Sequence, residues 1–293
     1  MNKNNTYDVS GQFHYEYLWD TFPGQDGAIY GDYLFRFDSK GFCRVFSMTE
    51  KKQVSSFLLD RTELIMPHSN AVCFGNQFYE ETDEFPLLYT NIYNSYKNAS
   101  DRMEGVCCVY RLTREGLTFC TRLVQIIKVG FTEQLDYWKS LADNGDVRPY
   151  GNFVVDTDHD RLYAFTMRDA EKVTRYFAFR LPHISDGVYS EQYQTNVVTL
   201  ETGDILQQFD CAYSKFIQGA CYHDNKLFSV EGFTGSTASP RLQVIDLVKQ
   251  EQCADVDLFS LGLEIEPEFI EFHGEVLYYS DATGKLYKFS FMK

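Results

Sequence analysis

Along this chain a polar residue or pair, a short apolar run, a tight turn and a second, aromatic-rich apolar run follow one another five times. The openings are Gln25-Asp26 before AIYGDYLFRF, and His68-Ser69-Asn70 before AVCFGNQFYEE with LLYTNIYN further on. Tyr150-Gly151-Asn152 then precedes FVVDTDHDRLYAFTM, Gln218-Gly219 precedes ACYHDNKLFSVEG, and Pro267-Glu268 precedes FIEFHGEVLYYSD. Each run is too short for a helix and is bounded by Gly, Asn, Asp or His, the punctuation of hairpins. A hairpin that cannot bury its own apolar face must pack against copies of itself. A spacing of roughly forty residues or more favours four-stranded propeller blades.

Further runs supply the remaining strands. GFCRVFSM and QVSSFLLD complete the first unit, GVCCVYRL and LTFCTRLVQIIKV the second, TRYFAFRL and VVTLETGDILQQF the third, and RLQVIDLV and ADVDLFSL the fourth. The fifth has only KLYKFSFM after its hairpin and is one strand short, while QFHYEYLW at Gln12 to Trp19 is an apolar-alternating run left over. Pairing the two removes an unpaired edge at each end. The pattern therefore predicts an all-β, five-bladed β-propeller over residues 1–293, one domain, with the N-terminal strand completing the last blade.

Two stretches break the repeat. Phe131 to Gly145 has apolar residues near helical spacing, with Thr132 placed to cap it, and predicts a short helix inserted between blades two and three. Glu80 to Gly105 reads as a long loop within blade two, polar and aromatic together.

Composition narrows the function. A formal charge of −15 argues against nucleic acid, whose phosphates need a basic surface, and against an anionic membrane. The first twenty residues lack the apolar core of a signal peptide, and no apolar stretch approaches a membrane span. The eight cysteines contain no C-x-x-C and read as free thiols in a reducing cytoplasm. Cys107 and Cys108, adjacent in one strand, should point to opposite faces.

In a propeller the first residues of each innermost strand gather around one mouth of the central channel. That placement makes Gln25, His68, Asn70, Tyr150, Asn152, Gln218 and Glu268 candidate ligand-binding residues. The ends of the second strands bring Arg36, Asp38, Asn91, Arg168, Asp169, Glu231 and Asp281 to the same mouth, with Arg168 and Glu231 as further candidates. A concavity holding several convergent polar groups among aromatics is the default binding site. His159, His223 and His273 fall in the hairpin turns at the other end and read as solvated turn residues. The cluster Asp156 to Asp160 lacks the glycine and distal glutamate of a calcium loop. No cofactor and no metal is expected.

The alternation in GNFVVDTDHDRLYAFTM, RYFAFRLP and QGACYHDNKLFSVEG resembles bacterial five-bladed β-propeller proteins over nearly the whole chain. As a fold it is also similar to the arabinanase and fructosidase type, whose catalytic carboxylates line the same mouth. Paired carboxylates at that mouth make Asp26, as base, and Glu231 or Glu268, as acid, the catalytic candidates. Against the family pattern, Asp26 stands in PGQDGA and the Arg-Asp-Pro triplet is replaced by Met167-Arg168-Asp169-Ala170.

The function expected is binding of a small polar molecule or sugar at the inner-strand mouth. An intracellular glycoside hydrolase using paired carboxylates there is the alternative. A third reading is a scaffold for a protein partner, docking on the blade-two loop and the inserted helix through Tyr93, Tyr96 and Trp138.

Overall fold

The computed structural model describes residues 8–65, 67–92, 105–130, 152–168 and 171–292. Their strands form five separate sheets. The first strands of the five sheets, Gly27–Tyr30, Val72–Phe74, Asn152–Asp156, Ile217–His223 and Pro267–His273, lie against one another and so surround the axis. Within each blade the next strands follow antiparallel, working outward. The protein is a five-bladed propeller.

The period of two explains how the ring holds together. Alternate side chains of one strand enter the gaps on either side of its blade. Phe35 and Phe37 enter the gap toward blade two, whereas Leu34 enters the gap toward blade five. Cys108 and Cys107 divide between the first and second gaps, as the alternation predicts. The result is five apolar clusters, one in each gap, rather than one central core.

The last blade is closed by the N-terminal strand. Gln12–Asp20 pairs antiparallel with Lys285–Met292, in a register running from Gln12 opposite Met292 to Asp20 opposite Lys285. Phe13 packs edge-on against Phe289 and Phe291, and Trp19 reaches Phe46 of blade one. The clasp thus joins two blades as well as two strands.

Two segments depart from the expected assignment. The run VVTLETGDILQQF, expected as one outer strand of blade three, is cut by a 3-10 turn at Thr202–Asp204, where the Glu201 and Asp204 side chains cap each other's backbone. Thr195–Leu200 instead extends blade two, parallel to Thr118–Val129, and Val188–Ser190 adds a sixth strand beyond it. Gln207–Ala212 closes blade three. Within the stretch expected as a long loop, Leu88–Ile92 is the second strand of blade two, and all five of its residues are buried. The helix expected at 131–145 and the loop residues 93–104 lie outside the described residues.

Candidate functional site

The inner strands do not start as regular ladders. In blade four the register shifts between Ile217 and Gly219, which leaves Gln218 as an extra residue. In blade five it shifts between Pro267 and Phe269, which leaves Glu268. In blade one the Gln25 N–H donates to the Phe37 carbonyl while the Phe37 N–H donates to the Asp26 carbonyl, so two residues face one. Bulges re-aim a side chain out of the alternation. Here the re-aimed side chains are amides and carboxylates, and they converge.

Asp26 is the hub. It is fully buried; its N–H donates to the Ser69 carbonyl, and its Oδ2 accepts the Val72 N–H at 3.0 Å. Oδ1 has no hydrogen-bond partner and points toward Gly219, where a Cβ would stand 3.2 Å from it and 3.1 Å from the Glu268 carbonyl. Four of the five inner-strand openings therefore meet at one carboxyl. Burial pushes Asp26 up to about 8, against the pull of the Val72, Gly27 and Ile270 backbone and of Arg36.

Arg36 supplies the opposing charge. It too is fully buried, with its guanidinium 4.8 Å from the centre of the Phe269 ring and none of its nitrogens within hydrogen-bond geometry of a protein acceptor. Burial draws its pKa down to about 10, while Asp26, Glu268 and Asp281 hold it up. Glu268 is buried, and its Oε1 accepts from Gln25 Nε2 at 3.3 Å, but its Oε2 is unpartnered. Its acidity is weakened by burial first and then by Glu266, so a proton is retained well above the usual carboxylate range. Buried polar atoms without partners are scarce in folded proteins. Three residues with such atoms lie together here, Asp26, Arg36 and Glu268.

The other expected residues divide. Gln218 donates to the Gly232 carbonyl at 2.9 Å and to Glu266 Oε1 at 2.7 Å, on the same side of the ring as Gln25 and Glu268. Asn152 starts the inner strand of blade three with its Oδ1 buried and unpartnered. Asn70 is buried and accepts from the Asn91 side chain, whose own oxygen caps the Ala71 N–H, so it serves the turn. His68 is half-buried, and burial lowers its pKa. Arg168 pairs with Glu171 at 2.6 Å, in the connection to the third strand of blade three. Glu231 is raised by burial to about 7, yet it turns to Gln243 and Ser214, with Arg241 and Asp255 as its charged neighbours. It does not join Asp26 and Glu268. Tyr150 lies outside the described residues.

One participant was missed in the sequence. Glu266 gathers Gln218 and, through Oε2, the Thr234 N–H at 3.2 Å. Arg36 was expected at the mouth from the end of the second strand of blade one, and its full burial against Phe269 was not. Beside Glu266, the Phe216 and Phe233 rings meet at a tilt, centres 5.2 Å apart, and Phe233 is 48% exposed. An apolar face thus borders the amide–carboxylate group. The spacing of Glu266, Glu268 and Glu271 was the available signal.

No family model matches the chain, and no curated protein matches it in sequence. Among solved structures, the chain is similar to the crystal structure of Myxococcus xanthus glutaminyl cyclase, with a TM-score of 0.51 and 8% identity. The match covers 95% of this chain and 97% of that one, and at this identity it shows the fold alone.

Proposed function

We propose that the inner-strand mouth binds a small, neutral, polar molecule with one apolar face, of which a sugar ring is the best example. The observation that carries this reading is the unpartnered Glu268 Oε2, backed by the buried charges of Asp26 and Arg36 and grouped where bulges aim Gln25 and Gln218. Gln25, Gln218, Asn152 and a protonated Glu268 offer both donors and acceptors, which hydroxyl groups need. Phe233 and Phe216 offer the flat surface. His68, Asn70, Arg168, Glu231 and Tyr150 are assigned no contact in this reading.

A hydrolytic reading draws on one observation, that Asp26 and Glu268 lie within electrostatic reach of each other and are both pushed toward the protonated form. Full burial of Asp26 beneath Gly219 opposes it, because a base or nucleophile must touch substrate. Eight free thiols fit a reducing compartment, and no helix among the described residues is long and apolar enough to cross a membrane.

The test is a thermal-shift screen of neutral mono- and disaccharides, with chromatography of the same samples. A sugar that raises the melting temperature and is recovered intact supports binding, and Gln218→Ala and Glu268→Gln should each weaken it about tenfold or more. Consumption of the sugar would move the assignment to catalysis. Absence of any response from the panel would remove the sugar reading.

A further inference from the structure

The channel has a second end, where the inner strands run into their hairpin turns, and a cavity of about 270 Å³ opens there. All five blades contribute to its wall, through Ile29, Phe74, Thr157, His223, Glu271 and Phe272. Histidines in these turns read in the sequence as solvated, but His223 lies flat on Phe272, ring centres 3.9 Å apart and planes within 8°. Phe272 in turn meets Phe228 edge-on. The wall is therefore aromatic and rigid.

One ionisable group stands out in this wall. Glu271 belongs to the inner strand of blade five, three residues beyond Glu268, and its Oε1 accepts the N–H of Phe272 at 2.9 Å. The residue is only partly shielded by area although it lies deep in the ring, because its remaining surface faces the cavity. Burial above all, and then the Asp26 carboxyl at the heart of the channel, raise the Glu271 carboxyl well above the usual carboxylate range, so a cationic guest binds there by displacing its proton. The turns around the opening carry Asp32, Asp158, Asp224 and Glu275, one from each of blades one, three, four and five. Lys226, in the blade-four hairpin, turns its Nζ to the Asp224 carbonyl.

We propose that this hairpin end is a binding site for a small primary ammonium compound, held by the Glu271 carboxylate against the Phe272 ring. The ammonium group carries three donors and a full charge. The carboxylate, the Thr157 hydroxyl and the faces of the aromatic rings satisfy both. Acidic turns around a narrow opening raise the local concentration of cations. The cavity volume limits the guest to a few heavy atoms. This site is separate from the sugar site proposed at the other mouth and differs from it in guest charge.

The experiment is isothermal titration calorimetry with ethylammonium chloride, sodium chloride as the ionic-strength control and ethanol as the neutral isostere. Saturable heat is expected for ethylammonium alone, with at least tenfold weaker binding in Glu271→Gln and in Thr157→Trp, which plugs the opening from an exposed turn. Glu115→Gln, on an outer hairpin of blade two, should bind as the parent does. Equal binding by Glu271→Gln, equal heat from ethanol, or no saturable heat from the folded parent would each overturn the proposal. Should Glu271→Gln not fold, undiminished affinity in Thr157→Trp overturns it on its own.

Discussion

Arg36 of blade one rests on the ring of Phe269 in blade five, 4.8 Å from its centre, in the gap that closes the propeller. The other four gaps are filled by larger apolar clusters, whereas this one combines Trp19, Phe22, Ile29, Leu34 and Phe269 with a cation and three carboxyls. Removing one member of a buried charge group strands the rest. Arg36→Met is therefore expected to cost about 3–5 kcal/mol. Above pH 8, where Asp26 ionises, adding Asp26→Asn should recover part of that loss. A urea-denaturation cycle at pH 9 should show a coupling of roughly 1 kcal/mol or more, and strict additivity would mean that the two groups do not act on each other.

Asp26 also sets a pH dependence. Its carboxyl holds a proton up to about 8 in the folded protein and releases it near 3.9 when unfolded. The folded state binds more protons between these values, so stability is fullest below pH 4 as far as this group is concerned and declines as pH rises toward 8. The slope from one such group is at most about 1.4 kcal/mol per pH unit. Asp26→Asn, neutral throughout, should flatten the decline between pH 5 and 8 in thermal melts. An unchanged slope would place the proton elsewhere.

Gly219 is where blade four comes closest to the hub. A methyl group there would meet the Glu268 carbonyl at 3.1 Å and Asp26 Oδ1 at 3.2 Å, both tighter than ordinary contact. Gly219→Ala is expected to destabilise by about 1–3 kcal/mol through overpacking. A neutral or stabilising result in chemical denaturation would show that the two blades can move apart.

Trp19 ties the clasp to blade one through Phe46, at 5.6 Å between rings. Trp19→Ala should cost about 3–5 kcal/mol. Hydrogen exchange should then rise first in Gln12–Asp20 and Lys285–Met292, because the weakened strand frays before the ring opens. Uniform exchange throughout the five blades would contradict this order.

Much of the ring is legible in the sequence. KLYKFSFM coincides with Lys285–Met292, and the leftover run at Gln12 proved to be its partner. Hairpin turns are local chemistry, so Gly31, His273 and Gly274 announce themselves. Sheet membership is not local. VVTL alternates equally well in blade three or blade two, and only the Thr202–Asp204 turn and the burial of Leu200 against blades two and three decide the matter. The site shows the same division. Polar openings pointed to Gln25, Gln218 and Glu268, but a bulge adds no signature to the sequence, so the registers that aim them were invisible. Glu231 shares the chemistry of the carboxyls at the axis and yet faces outward to Gln243. Arg36 was legible as a residue of the mouth, but not its burial on Phe269, which depends on the blade across the gap.

The antiparallel contact between Gln12 and Met292 has a consequence for how the protein is made. The strand translated earliest finds its neighbour only when the latest one leaves the ribosome, which at roughly 5–20 residues per second is a delay on the order of tens of seconds. Through that interval Tyr15, Tyr17 and Trp19 travel on a nascent chain without their sheet.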